Sequence, residues 1–394
     1  MTRAGTGRSL LLSRRFLGAA FVNFFATSNF FLLVPITVLL VHHRYDAPLS
    51  VGGLVAGALL AGGVVARPLA GPALHALPAR ALLVLTMSTM TLATAACLLP
   101  VGLTVFTLLR FVSGLAFGIT STATLAVAVA GLPSERRGSG TGWFGLSNSL
   151  AGAIGPAIGL FVANRWGYDT VIAAVVGLGM LGCVAAALLP RQPRPAPGPA
   201  SRSSGLRRFL EPAALPLCVF IACAGIVYSS IYGYLDAWSV SQGLTAWAPW
   251  FFVCYSTMVV LSRPITGRLM DSTPPAVVML PALATVALGL VLLALMDSAG
   301  LMVAAGLVCG AGMGTVLCSA TVLAVRIAPP GRIAVTASTF YLALDGGVAL
   351  GPPLLGLALP YWGYPGLFTA MAILVALVAA LFLALDRRSL FAPR

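Results

Sequence analysis

The chain has no lysine, only nine acidic residues and only three histidines, and 8% of its 394 residues are charged. Soluble domains carry about a quarter charged residues. So few charges cannot solvate a globular surface, which excludes a soluble enzyme or a soluble binding domain. The scarcity of acids and histidines also removes most chemistry. No nucleophile constellation, phosphate-cradling glycine loop or metal-ligand spacing occurs, so neither catalysis, a cofactor nor a bound metal is expected. His42 and His43 beside Asp46 form a short loop pair, too weak a pattern for a metal site. All seven cysteines fall in apolar segments and read as small core residues.

What is present is apolar: 59% of the chain is hydrophobic. Runs of about 20 apolar residues, the length needed to cross a bilayer, recur throughout. Lipid admits only helices or a closed barrel, and the runs lack the strict alternation of barrel strands. Spans read at 16–41, 49–70, 81–100, 102–131, 139–163 and 168–190, then at 213–240, 246–270, 276–296, 299–328, 333–359 and 364–386. The fold class is therefore an all-α membrane protein with twelve spans in two six-helix bundles. Arg14 and Arg15 precede an apolar run too long for a cleaved signal, so the first span is retained. The bundles occupy 1–190 and 213–394, joined by a linker at 191–212. Pro193, Pro195, Pro197 and Pro199 with a Ser/Arg-rich run make that linker extended and solvated.

A net charge of +14 suggests nucleic acid in a soluble protein. Here 20 of the 23 arginines fall on one side of the spans, only Arg44 and Arg165 on the other, and Arg110 within a span. Positive charge marks the cytoplasmic side. The distribution places the linker and both termini inside and excludes a nucleic-acid partner.

The halves repeat at an offset of 196. Gly155-Pro156-Ala157-Ile158-Gly159 is echoed by Gly351-Pro352-Pro353-Leu354-Leu355-Gly356, and Trp166-Gly167-Tyr168 by Trp362-Gly363-Tyr364. Arg67-Pro68 matches Arg263-Pro264, Gly71 matches Gly267, Gly114 and Gly118 match Gly310 and Gly314, and Arg136 matches Arg332. Parallel repeats give a pseudo-two-fold along the membrane normal, with binding expected near the midplane between the halves.

Twelve spans in two such halves resemble the major facilitator superfamily over essentially the whole chain. Phe106 to Gly118, with Arg110, Gly114 and Gly118, resembles its span-4 motif. Gly155-Pro156-x-x-Gly159 resembles its span-5 motif, which is associated with export. Gly71 to Arg80 resembles its loop 2–3 motif but carries His75 for the usual Asp and Pro78 for the second Gly. The matching loop keeps Asp271 but has Pro274 and Pro275 where Gly and Arg are usual. The resemblance points to the drug and metabolite proton antiporters of the superfamily.

Within this frame, Asp345 lies about 20 Å into span 11, near the midplane. A carboxylate there is costly to ionise and suits loading and release of a proton. Asp236 is a second proton-coupling candidate, on one helix face with Tyr228 and Tyr232 at intervals of four. Arg110, Asn23, Asn29, Asn148, Tyr228 and Tyr232 are candidate substrate contacts, the asparagines alternatively serving as helix–helix glue. Gly155, Pro156, Gly159, Gly351, Pro352 and Gly356 are candidate hinge or gasket residues, on helices expected to face the opposite half. Asp271 and His75 occupy matching slots as a candidate latch. Asp271 is expected at the start of span 5, near Arg136 and Arg137.

The function expected is secondary active export of a small organic compound, a drug or metabolite, through the inner membrane by alternating access coupled to protons. The expected partners are that substrate, protons and the lipid bilayer, with the chain acting as a monomer. Two alternatives stay open. One is an uptake symporter or facilitator for a sugar or organic acid, with Arg110 clamping an anion. The other is a non-transporting membrane sensor or scaffold.

Overall fold

The computed structural model describes residues 13–191 and 205–387. Among the described residues every regular element is a helix: α1 (Arg14–Tyr45), α2 (Leu49–Ala66), α3 (Ala79–Ala96), α4 (Leu103–Val129), α5 (Arg137–Trp166), α6 (Tyr168–Ala187), α7 (Leu215–Ser241), α8 (Ala248–Ser272), α9 (Pro275–Ala294) and α10 (Ala299–Arg326). The stretch Ile333–Arg387 holds α11 and α12, which meet at Gly363. A 3₁₀ turn, Arg67–Leu69, and a short helix, Ala70–Ala76, prolong α2. Among the described residues twelve segments are long and apolar enough to cross a membrane. The chain is thus an all-helical, multi-pass membrane protein.

The helices begin and end where the sequence supplies punctuation, and the punctuation itself repeats. Pro78 and Pro274 stand just ahead of α3 and α9 with nearly the same backbone, φ/ψ of −56°/139° and −58°/142°. Proline's fixed φ and missing N–H cost nothing at such a position. Gly167 and Gly363 turn the corners α5–α6 and α11–α12 at φ of 89° and 62°, a region in which only glycine is at ease. Ser13 caps α1 by accepting the Phe16 N–H at 3.2 Å.

By backbone packing the chain falls into two compact units. One holds Met1–Leu132, Ser147–Glu211 and Pro330–Ser338; the other holds Pro133–Leu146, Pro212–Pro329 and Thr339–Arg394. Relative to the repeat boundary, the first residues of α5 and of α11 have changed places, because each of these starts is packed among residues of the other repeat.

In the first unit α4 lies against α1, α2 and α3, while α6 lies against α1 and α3. In the second, α10 lies against α8 and α9. The close approaches obey the 196 offset in space as well as in sequence. A Cβ on Gly114 would run into the carbonyl oxygen of Leu59, and a Cβ on Gly310 into that of Tyr255, the residue 196 further on. Gly118 meets Gly63 and Gly314 meets Val259, again a matched pair. Small residues let helix backbones touch where lipid offers no hydrophobic drive to associate. Leu54, Leu92, Leu188 and Leu357 are exposed, as a lipid-facing shell requires.

The glycines of the stretches Gly155-Pro156 and Gly351-Pro352 sit at close helix contacts. Gly155 packs on Phe31 and Gly159 on Leu32, both of α1. Gly347 packs on Ala222 and Gly351 on Ser229, both of α7. These glycines meet their own repeat, whereas Gly142 and Gly145, nearer the start of α5, meet Arg263 of α8. Pro156 lies inside α5 without ending it.

Candidate functional site

In the first unit the polar residues of α1, α4 and α5 form one network. Asn23 donates through Nδ2 to Ser147 Oγ at 2.7 Å and to Asn148 Oδ1 at 2.8 Å. Its Oδ1 accepts from Thr124 Oγ1 at 3.1 Å, and Thr27 Oγ1 donates to Asn148 Oδ1 at 2.9 Å. Asn23 is completely buried, and both its amide protons are committed to α5. This is the chemistry of interhelical glue. The matching positions in the second repeat, Val219, Cys223, Ala320, Ala343 and Leu344, carry no such groups. Asn29 donates to Thr94 Oγ1 at 3.1 Å, and its buried Oδ1 has no partner among the described residues.

Arg110 is 2% exposed on α4, and none of its three guanidinium nitrogens has a hydrogen-bond partner among the described residues. One turn away Phe106 packs against Tyr45, with the Arg44 guanidinium 6.0 Å from its ring centre. Arg44 donates to the Cys97 carbonyl at 2.7 Å and pairs with Asp169. A cavity of about 330 Å³ opens beside that ion pair, lined by Leu40, His43, Arg44, Trp166, Tyr168 and Asp169. None of the sequence-predicted binding residues lines it.

In the second unit Tyr228 and Tyr232 stack with ring centres 4.5 Å apart. Tyr232 also meets Phe252 at 5.3 Å and Tyr255 edge-on at 5.8 Å. The sequence expectation that the two tyrosines share a face is met by this stacking; that Phe252 and Tyr255 of α8 join them was not foreseen. Asp236 lies on α7, but its side chain falls outside the described ones. Asp345 is the thirteenth residue of the stretch that begins at Ile333 and is partly buried. Tyr234 Oη donates to the Pro352 carbonyl at 2.6 Å and lies 3.1 Å from a Cβ position on Gly356, fixing α7 to the middle of α11.

Asp271 closes the last turn of α8 against the start of α5. Its carboxylate oxygens accept the backbone N–H groups of Gly138 and Ser139, each at 2.7 Å, and the Ser139 hydroxyl. A carboxylate on the free N–H groups of a helix start is favoured by both hydrogen bonding and the helix dipole. A guanidinium beside it belongs to Arg326, 3.9 Å away. Arg136 ends the 3₁₀ turn ahead of α5 and Arg137 opens α5, whereas Arg326, at the end of α10, donates to the Met270 carbonyl. His75, in the matching slot, ends the short helix Ala70–Ala76, whose Gly71 packs on Val335.

Sequence reasoning missed one buried pair altogether. Arg332, just ahead of α11, donates through Nε to Glu211 Oε2 at 2.5 Å, and through its other arm to the Arg207 carbonyl. The residues are 121 apart in sequence and Glu211 looked like the end of a solvated linker. The one usable signal was that Glu211 is one of only two glutamates in the chain.

Taken together, the buried polar groups can bind, hold or move charge inside a bundle of membrane spans; among the described residues no group of three or more metal-ligating side chains comes together. Comparison with known proteins agrees. The chain matches the model of the Major Facilitator Superfamily over residues 16–352. Among solved structures it is similar to the human organic anion transporter MFSD10, at 15% identity and a TM-score of 0.78 over 93% of this chain and 98% of that one. It is similar to the Escherichia coli fucose:proton symporter FucP, at 16% identity and 0.75 over 95% and 98%. It is also similar to the proton:xylose symporter XylE, at 11% identity and 0.80 over 96% of each. No curated protein matches. The chain belongs to the major facilitator superfamily of membrane transporters.

Proposed function

We propose that this protein is a secondary active transporter that exports a small organic compound across the inner membrane in exchange for protons. The observation that carries the reading is the position of Asp345. Of the nine acidic residues it alone stands in the middle of a span, about 18 Å along α11 from Ile333. The others lie in loops, in 3₁₀ turns or within about two turns of a helix end. A carboxylate at that depth is costly to ionise and is a default functional candidate. Protonated from outside it releases substrate; deprotonated inside it restores binding. The repeats 1–190 and 213–394 are the two bodies that alternate, with the linker and termini cytoplasmic and one chain as the working unit. The export direction draws on the Gly-Pro stretch of α5.

The buried Arg110 favours a second reading, uptake of an organic acid. A guanidinium without a protein acceptor suits an anionic substrate. MFSD10 is an organic anion transporter and FucP and XylE are proton symporters, which supports this second reading.

The test is a thermal-shift ligand screen on the purified protein, followed by flux of a stabilising compound into and out of proteoliposomes with an imposed pH gradient. Outward accumulation against a proton gradient supports export; inward accumulation with protons supports the second reading. Binding without flux of any stabilising compound contradicts both.

A further inference from the structure

Arg67 and Arg263 hold the same slot in the two repeats, 196 residues apart, yet their surroundings differ in kind. Arg67 is buried, and its Nη1 donates to Ser121 Oγ at 3.2 Å and Thr122 Oγ1 at 3.4 Å. In the second repeat those two hydroxyls are replaced by Leu317 and Cys318. The Nε of Arg263 is buried without a partner among the described residues. Its guanidinium lies over Gly145, with Nη1 2.7 Å from where a Cβ would stand, so the space it occupies exists only because residue 145 is glycine.

The neighbours of this arginine have changed in a concerted way. Leu32, Ile36 and Leu59 of the first repeat correspond to Tyr228, Tyr232 and Tyr255. Tyr255 and Arg263 are two turns apart on one face of α8. The Tyr255 hydroxyl is buried with no partner among the described residues, while Tyr232 keeps 43% of its surface exposed. One repeat has a satisfied arginine among aliphatic side chains. The other has an arginine whose Nε lacks a partner among the described residues, on the same helix face as an orphaned hydroxyl and its stack of rings. Buried polar groups are almost always paired, and here the missing partner is an acceptor.

We infer that Arg263 with Tyr228, Tyr232 and Tyr255 forms a subsite for an aromatic carboxylate, the acid taken by Arg263 and the flat ring by the tyrosine stack. The assignment rests on the transporter reading and names its substrate class. Arg263 and Tyr232 are then specificity residues: the first selects the charge, the second the ring.

The test uses full-length protein in lipid nanodiscs and three probes: 1-naphthoate, which has ring and charge; 1-naphthamide, which has the ring alone; and cyclohexanecarboxylate, which has the charge alone. Equilibrium binding should favour 1-naphthoate over either of the others by at least tenfold. Arg263→Gln should bring its affinity down to that of the amide, and Arg263→Lys should recover part of the loss. Tyr232→Leu should lower the affinity and Tyr232→Phe should keep it. The thermal stability of each unliganded variant separates misfolding from lost recognition. Wild-type protein that binds 1-naphthoate but shows no proton-driven flux of it would count against the coupling and not against the subsite, so the two failures are told apart. The assignment is overturned if the amide binds as tightly as the acid, if a folded Arg263→Gln binds 1-naphthoate unchanged, or if 1-naphthoate does not bind the wild type.

Discussion

Asp271 reaches from the last turn of α8 to the first turn of α5, where the backbone N–H of Gly138 lies 2.7 Å from its carboxylate. The adjacent N–H of Ser139 is taken at the same distance by the other oxygen. A helix start leaves its first N–H groups without internal partners, so this one side chain both caps α5 and holds it to α8.

If that contact holds the start of α5, removing it should loosen those amides first. Hydrogen bonds to charged groups contribute about 1.5–3 kcal/mol each. Asp271→Ala should therefore speed hydrogen exchange at the amides of Gly138 and Ser139 by at least about tenfold, a free-energy change of about 1.4 kcal/mol. Exchange measured by mass spectrometry on peptides spanning 133–146 reads this directly. Unaltered protection there means that the carboxylate does not hold the helix start.

The matched glycine contacts predict matched costs. Gly114→Ala and Gly310→Ala each drive a methyl into a carbonyl oxygen of the facing helix, that of Leu59 and of Tyr255. Forcing apart a packed interface costs about 1–3 kcal/mol. Gly57 on α2 and Gly177 on α6 have nothing within 4 Å of a Cβ. Alanine there should leave stability unchanged or raise it by up to about 1 kcal/mol. Thermal unfolding of the four variants should split them two and two. A Gly114→Ala protein as stable as Gly177→Ala contradicts the packing.

Glu211 and Arg332 form a buried pair, at 6% and 9% exposure. Breaking such a pair by removing one partner costs about 3–5 kcal/mol, because the other charge is stranded. Glu211→Gln should thus lower the unfolding temperature markedly. The double change Glu211→Leu with Arg332→Met should recover most of the loss, since apolar replacement of both partners is near neutral. A double variant no better than the single one places the role of Glu211 elsewhere, in its loop.

How much of this was legible beforehand divides along sequence separation. The 196 offset foretold pairs such as Gly114 with Gly310, and the structure added that their partners, Leu59 and Tyr255, obey the same offset. Repeated sequence yields repeated backbone contacts because both halves solve one packing problem. Corners at Gly167 and Gly363 were readable because only glycine tolerates a positive φ there. What stayed hidden was side-chain pairing across long gaps. Arg332 with Glu211, Arg326 with Asp271 and Asn23 with Asn148 each depend on the rotation of two helices about their axes. Local pattern does not encode that rotation. The same limit hid that Gly155 and Gly159 of α5 meet Phe31 and Leu32.

The central claim is that a proton on Asp345 drives transport, and its most direct measurement is flux in proteoliposomes under an imposed pH gradient. With a compound that stabilises the wild type, the gradient should drive accumulation, and the rate should change with pH. Asp345→Asn, fixed in the neutral form, should bind the compound more weakly and should lose accumulation and pH dependence together. An Asp345→Asn protein that accumulates the compound at the wild-type rate with the same pH profile would contradict the account.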